Sequence, residues 1–281
     1  MYKLFAANQY GDEIEITHNS MWTVKSLDGF DPPDSQINTQ RLAGYDGSVF
    51  NSSYIEERTI TITLAINAPC ERNRIELYRY FKTKFVVRLR YVTETRDVYI
   101  DGFVQSLQVD YFKKKELAQI VIKCPSPALN GTVKNVQEFT SVDPLFEFPF
   151  EIVTPIPFSE IVVGQEKSII NSGDLETGCM IDIHALGPVT TPKVYNTGTG
   201  DFMILNTTML EGDSIIINTR KGQKSIKLIR NGAESNLISA LAEGSTWFVL
   251  APGDNVFASN ADGNPEYMYI TFTLVDQFEG V

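Results

Sequence analysis

Apolar and polar residues alternate along much of this chain with a period of two residues. The clearest case is residues 59–66, where Ile60, Ile62 and Leu64 alternate with threonines. This period places the apolar side chains on one face of a β-strand, and β-branched residues favour strands. Shorter runs of the same kind predict further strands at residues 85–89, 98–100, 117–122, 214–217, 247–250 and 267–274.

One segment, residues 69–82, has the spacing of a helix instead. Its predicted apolar face holds Ile75, Tyr78 and Phe81. Either Asn67 or Ala68 can cap this helix, and Pro69 suits its first turn. Turn signals rich in Gly, Asn and Asp separate the strands elsewhere, without a strand–helix–strand rhythm. We therefore expect a mainly β protein whose single helix packs on a sheet.

The composition changes near residue 130. Pro125 and Pro127 cannot donate hydrogen bonds in a sheet, so strand pairing is expected to stop there. Residues 1–130 hold 16 Lys/Arg and 16 Asp/Glu, whereas residues 131–281 hold 8 and 19. These two ranges are predicted to form separate domains. The Pro-rich residues 143–157 are either the first strand of the second domain or a linker.

Residues 27–53 interrupt the strand pattern with glycines and prolines. A structureless loop of this length is uncommon inside a compact domain and is usually functional or disordered. Its apolar members predict that it docks onto a surface: Phe30, Ile37, Leu42, Tyr45 and Phe50. The sequence leaves open whether that surface belongs to the same domain or to a neighbouring subunit.

Residues suited to catalysis are few. Neither His18 nor His184 is predicted to have a partner at the spacing that a metal site or a Ser-His-Asp arrangement requires. His184 is predicted to face outward from a strand, because it alternates with isoleucines. Residues 198–200 lack the lysine and helix of a phosphate-binding loop, and they predict a hairpin turn.

Two acidic groups could supply paired carboxylates, which glycosidases hold about 5–10 Å apart with one of them desolvated. The groups are Glu211 with Asp213, and Asp12 with Glu13 and Glu15. Residues 211–213 are more typical of a turn that precedes a strand. The sequence therefore predicts that the protein is not an enzyme.

The net charge of −11 and the lack of a basic stripe disfavour a nucleic-acid partner. No run approaches the roughly 18 apolar residues of a membrane span, so we expect no membrane insertion. The N-terminus has no signal-peptide core, and folding in a cytoplasm is expected. Cys70, Cys124 and Cys179 are odd in number and widely spaced, which predicts buried thiols rather than disulfides or zinc ligands. No cofactor is expected.

Several segments together resemble one known family. Residues 27–33, residues 41–48 and the strand at 60–66 resemble the N-terminal domain of siphophage distal tail proteins, with Tyr45 where that family commonly has arginine in a Gly-Arg-Asp-Gly-like turn. Gly44, Asp46 and Gly47 keep the turn-forming positions. The second half is similar to the family's C-terminal domain in residues 210–219, 221–225, 231–232 and 247–255.

This resemblance implies a β-sandwich or split-barrel-like N-terminal tail domain, residues 1–130, that forms a homo-hexameric ring. Residues 131–281 would form a galectin-like β-sandwich that faces outward. The ring would join the tail tube protein to tail-associated, fibre or receptor-binding proteins in the virion. We expect interface contacts from Phe30, Pro32, Pro33, Leu42, Gly44, Tyr45, Asp46 and Gly47.

A carbohydrate-binding module is the alternative function. Galectin-like sandwiches stack sugars on an aromatic ring, and Trp247 is the candidate. In galectins that tryptophan is followed by a glycine and then alternating acid and arginine, whereas Trp247 is followed by Phe248, Val249 and Leu250. The sequence therefore favours a buried Trp247.

Overall fold

The chain divides into two compact units. The structure, a computed structural model, describes residues 2–44, 46–111, 115–138, 142–144, 159–161 and 166–281. The first unit comprises Met1–Thr132 and Gln277–Val281, and the second comprises Val133–Asp276. This division lies two residues from the predicted one, and it assigns the last five residues to the first unit.

Antiparallel strands and one helix build the described part of the first unit. The elements are β1 (Lys3–Ala7), β2 (Glu13–Glu15), β3 (Trp22–Asp28), β4 (Ser35–Gln40), β5 (Val49–Ile55), β6 (Arg58–Ile66), α1 (Cys70–Tyr80), β7 (Val86–Val92), β8 (Asp97–Asp110), β9 (Leu117–Cys124) and β10 (Leu129–Glu138). Strand β10 continues into the second unit.

The long strand β8 joins two sets of strands around the first core. One set runs β2–β1–β7–β8, the other runs β3–β6–β9–β8, and a bulge between Val104 and Ser106 interrupts the pairing of β8 with β9. Alternate residues of these strands point inward, as the two-residue period predicts. The core includes Leu4, Ile62, Leu89, Ile100 and Ile120.

Helix α1 buries a different face from the one that the sequence predicts. Its buried residues are Asn73 and Leu77, followed by Phe81 just beyond the helix, while Ile75 and Tyr78 are 56% and 37% exposed. Asn73 can be buried because its Nδ2 donates to Asn67 O at 2.8 Å and its carbonyl accepts from the indole of a buried tryptophan at 3.1 Å. A polar residue thus holds a core position, and two predicted core residues face outward.

The start of α1 also differs from the prediction. The N-cap position is Pro69, and no side chain caps the helix there. The expected caps, Asn67 and Ala68, precede that position, and Asn67 uses its backbone carbonyl to hold Asn73.

The second unit is a sandwich of two antiparallel sheets. Its strands are β11 (Val142–Pro144), β12 (Ser159–Ile161), β13 (Lys167–Asn171), β14 (Cys179–Ala185), β15 (Val189–Asn196), β16 (Phe202–Ile204), β17 (Thr208–Met209), β18 (Ser214–Asn218), β19 (Ser225–Arg230), β20 (Ala233–Asn236), β21 (Gly253–Gly263) and β22 (Met268–Phe278).

One sheet has the order β22–β14–β18–β19–β20, and the other has the order β13–β21–β15–β16, with β17 also on β15. Phe257 of the second sheet packs against Phe272 of the first, with ring centroids 4.8 Å apart. Strand β22 returns the chain to the first unit. The prediction of a mainly β protein with two domains is confirmed.

Two local strand predictions have other outcomes. Residues 247–250 do not form a strand, and only Leu250 makes an isolated bridge, to Thr177. The Pro-rich residues 143–157 fall mostly outside the described residues, although β11 pairs with β12. In the described part of the chain, no helix has the length and apolar content needed to cross a membrane.

Candidate protein-interaction site

The segment predicted to be an irregular loop forms a β-hairpin. Among the residues that the structure describes, strands β4 and β5 pair only with each other, and residues 41–48 connect them. We call residues 35–55 the arm. Every described residue of β4 and β5 is exposed. Because an isolated two-stranded hairpin is marginally stable in water, the arm is expected to need a further surface.

Three apolar side chains share one face of the arm. Residue pairing places Ile37, Phe50 and Ile55 on one side, since Thr39 lies opposite Phe50 and Ser35 opposite Ile55. Ile37 is 61% exposed and Phe50 is 60% exposed. The other side carries Val49 and Tyr54 among polar residues, and there Asn38 Nδ2 donates to Ser52 Oγ at 3.0 Å. We call the side with Ile37, Phe50 and Ile55 the apolar face of the arm, and all three side chains are exposed.

The base of the arm is fixed by a glycine and an arginine. Gly29 has φ +100°, and a Cβ there would lie 2.3 Å from Thr59 O, so only glycine fits. Arg58 Nη1 donates to the carbonyl oxygens of Gly29 at 2.7 Å and Asp31 at 2.8 Å. Burial lowers the pKa of Arg58. The arm thus projects from an anchored base.

Acidic side chains surround that base. A shallow recess there is lined by Asp31, Asp34, Glu56 and Glu57, together with Arg58. The four carboxylates are exposed, and Glu57 is ion-paired with Lys123. The base of the arm therefore presents negative charge.

The predicted interface residues lie in three environments. Phe30 is 5% exposed and packs on Tyr91 with ring centroids 5.0 Å apart, so it belongs to the core of its own unit. Pro32 is exposed and Pro33 is half-buried at the base. Leu42, Gly44, Asp46 and Gly47 are exposed between the two strands of the arm. Tyr45 lies outside the described residues.

The sequence prediction missed Val49, Tyr54 and Ile55, which are exposed apolar residues of β5. The sequence signal for these two strands is a weak apolar–polar alternation in residues 35–40 and 49–55. Threonine, serine and asparagine occupy many of the positions, so the two-residue period is difficult to detect. The positive φ values of Gly44 and Gly47, +84° and +91°, fit the turn that their sequence predicted.

The histidines have local partners. Contrary to the sequence prediction, His18 does have a carboxylate partner, because its Nδ1 lies 2.7 Å from Glu15 Oε1. This hydrogen bond lowers the pKa of Glu15. His184 faces outward from β14, and its Nδ1 lies 3.0 Å from Ser214 Oγ.

The acidic groups are engaged in structural contacts. Asp213 is 2% exposed and accepts from Arg230 Nη2 at 2.6 Å and from Leu210 N at 2.7 Å. The Arg230 hydrogen bonds hold the pKa of Asp213 below its usual range, whereas a general acid needs a raised pKa. In the other group, Asp12 bonds to Asn8 at 3.1 Å and Glu13 lies 4.0 Å from an arginine of β7.

Trp247 is partly buried against the second core, and Lys224 Nζ lies 5.4 Å from its ring centroid. Residues 198–200 form the predicted hairpin turn between β15 and β16. All three cysteines are free, and burial raises the pKa of Cys124 and of Cys179 to about 12. Among the described residues, no three His, Cys, Asp or Glu side chains are grouped to hold a metal ion.

Two phage tail families match the sequence. Residues 9–123 match the family described as a phage tail protein RIFT-related domain, and residues 172–274 match the C-terminal domain of a siphovirus-type tail component. Together they cover most of the chain. No curated protein is similar enough in sequence to match.

Solved structures share the fold over the whole chain. The Dit protein of phage SPP1, described as a paradigm of the hub adsorption apparatus in phages that infect Gram-positive bacteria, superposes with a TM-score of 0.73 at 11% identity and covers 99% of each chain. A protein from the baseplate of phage p2, in its activated conformation with Ca, gives a TM-score of 0.58 at 13% identity and covers 100% of each chain.

Proposed function

Because this chain belongs to the siphophage distal tail proteins and has a structural role in the tail-tip hub, we propose that its copies close into a homo-hexameric ring. The ring joins the tail tube protein to tail-associated or receptor-binding proteins. The protein is a component of the virion tail, and we infer that it folds and assembles in the cytoplasm of the bacterial host.

The exposed arm is the observation that carries this proposal. Its apolar face is uncovered in the single chain, and a contact with a neighbouring subunit would bury it. In a closed ring of identical subunits, each copy contacts its two neighbours through two different surfaces. We call the surface that docks on a neighbour the giving surface and the surface on which it docks the receiving surface. The arm is a suitable giving surface, because its apolar side chains are exposed and the segment that leads into it is anchored at Gly29 and Asp31.

The inferred ring is built by the first unit, and the acidic second unit faces outward. Carbohydrate binding is not favoured as an alternative. Trp247 packs on the core of its own unit and has a lysine over its ring, so it offers no open platform for a sugar. We also propose that the protein has no catalytic activity, since its acidic and histidine groups are held in local contacts.

Negative-stain electron microscopy of the purified full chain tests the proposal. We expect six-fold rings, and we expect monomers when a short glycine-serine turn replaces residues 36–54. A matched control is Leu210→Ser, which removes a 51% exposed apolar side chain from the second unit and should leave the rings intact. Rings that persist without the arm would refute its role in assembly.

A further inference from the structure

A second exposed apolar surface lies on helix α1. Ile75 and Tyr78 are 56% and 37% exposed, and Tyr111, just after β8, is 50% exposed. The hydroxyl groups of Tyr78 and Tyr111 are 3.4 Å apart, and the Arg74 guanidinium lies 5.0 Å from the Tyr111 ring centroid. We call Ile75, Tyr78 and Tyr111 the helix patch. It is a preformed surface of aromatic and aliphatic side chains, of the kind that anchors interfaces.

The helix patch and the arm lie at opposite ends of strand β6. The arm leads into Arg58, the first residue of β6, and the helix follows Ile66, the last. Ile66 N donates to Glu116 O at 2.9 Å, and Arg74 bonds to the Glu116 carboxylate at 2.9 Å, which fixes the helix at that end. A nine-residue strand spans about 26 Å. Each copy therefore carries the two surfaces at opposite ends of one strand, which suits a head-to-tail contact between copies.

Charge also distinguishes these two surfaces. Residues 28–57, which include the arm and its base, carry one Lys/Arg and six Asp/Glu. Residues 70–84, which include the helix, carry five Lys/Arg and two Asp/Glu. Arg72 and Arg79 lie within one helical turn of the patch residues, and Lys82 follows the end of the helix. Opposite charges beside two apolar surfaces steer the surfaces together and fix their register.

We propose that the arm of one copy docks its apolar face on the helix patch of the next copy around the ring. Ile37, Phe50 and Ile55 cover Ile75, Tyr78 and Tyr111, and the acidic base of the arm faces the basic helix. This inference rests on the proposed ring, and it adds the identity of the receiving surface. The contact is head to tail, so each subunit gives an arm and receives one.

Two variants of the full chain separate the giving surface from the receiving one. The arm variant carries Ile37→Asp and Phe50→Asp. The helix variant carries Ile75→Gln and Tyr78→Gln, because glutamine is a good helix former and keeps α1 intact. We expect each variant alone to assemble about tenfold or more weakly than the wild type in sedimentation equilibrium, since loss of a buried interface anchor has an effect of that order.

Mixing the two variants provides the decisive measurement. The helix variant keeps its arm and the arm variant keeps its helix patch, so an equimolar mixture should form one-to-one dimers that cannot grow further. The matched control is Ile238→Gln, which removes a 47% exposed isoleucine from the second unit and should leave ring assembly unchanged. Circular dichroism melting confirms that all the variants are folded.

The outcomes distinguish this inference from the proposed function. Rings from the helix variant at wild-type strength, or a mixture without dimers, would overturn the docking of arm on helix while the ring stands. A wild-type chain that stays monomeric at its highest soluble concentration would overturn the ring itself.

Discussion

The Arg58 side chain donates from Nη2 to the backbone carbonyl of Glu279 at 2.6 Å, across 221 positions of sequence. Its Nε donates to Pro127 O at 2.7 Å, and its Nη1 holds two carbonyls at the base of the arm. Arg58 is 3% exposed, so four backbone oxygens replace water around this cation. One side chain therefore ties the last residues of the chain to the segment from which the arm projects.

Arg58→Met is expected to lower the free energy of unfolding of the first unit by about 2–4 kcal/mol, because buried carbonyls lose a charged donor. Urea unfolding measures this change. The matched control is Arg88→Met, which removes an exposed pair with Asp101 at 2.7 and 2.8 Å and should cost at most about 1 kcal/mol. Equal losses in the two variants would contradict the role of Arg58.

Gly29→Ala should be far more destabilising than Gly44→Ala, although both glycines have positive φ. At Gly29 the new Cβ would meet Thr59 O at 2.3 Å, whereas at Gly44 no atom lies within 4 Å. We expect a loss of about 1 kcal/mol at Gly44 from backbone strain alone, and more than about 3 kcal/mol at Gly29. Thermal melting of the two variants gives the comparison, and similar melting temperatures would disprove the steric argument.

The sequence predicted the strands whose one face is core, because burial imposes the two-residue period. Strand β6 shows this, since Ile60, Ile62 and Leu64 are all fully buried. The arm could not be predicted in this way. Both of its faces are exposed in the single chain, so no burial pattern marks it as a strand, and only its apolar content indicated docking.

The remaining errors of the sequence-based predictions have physical causes that the spacing of apolar residues does not reveal. Asn73 takes a core position because its polar atoms are satisfied by Asn67 and by a tryptophan indole, and this turns Ile75 outward. Phe248 and Leu250 are buried from an irregular segment, where the apolar run of residues 247–250 predicts a strand. From the sequence, Ile37 and Phe50 of the arm were therefore named but Ile55 was missed, and an interface at these residues stays a prediction.

Asp213→Asn is expected to destabilise the second unit. It should also make the free energy of unfolding of that unit fall less steeply as the pH is lowered. The Arg230 hydrogen bonds lower the pKa of Asp213 in the folded state, below the unfolded value of about 3.9. The stabilisation is therefore present above that unfolded value and is lost as the pH falls through the folded pKa. Removing it should cost about 1–3 kcal/mol at neutral pH. Urea titrations at several pH values test this, with exposed Glu211→Gln as the neutral control; parallel acid profiles for wild type and Asp213→Asn would contradict it.

Asp182 should show the opposite dependence on pH. It lies on the outer side of β14, and among the described residues its Oδ1 is buried without a hydrogen-bond partner. Burial raises the pKa of Asp182, an effect that the nearby His184 opposes. A carboxyl whose folded pKa exceeds its unfolded pKa binds its proton more tightly in the folded state, so its contribution to stability falls as the pH rises through that range.

Replacing this side chain should therefore stabilise the second unit at neutral pH. Asp182→Asn removes the charge at nearly constant shape, and Asp182→Thr also supplies a β-branched side chain that suits a strand. We expect each to raise the free energy of unfolding by about 1 kcal/mol at pH 7, since a buried charge without a partner is unfavourable. Both variants should also lose the relative stabilisation that the wild type gains on mild acidification. Urea unfolding at neutral and mildly acidic pH decides the matter, because a wild type that is more stable than both variants at pH 7 would mean that the Asp182 carboxylate is satisfied in solution.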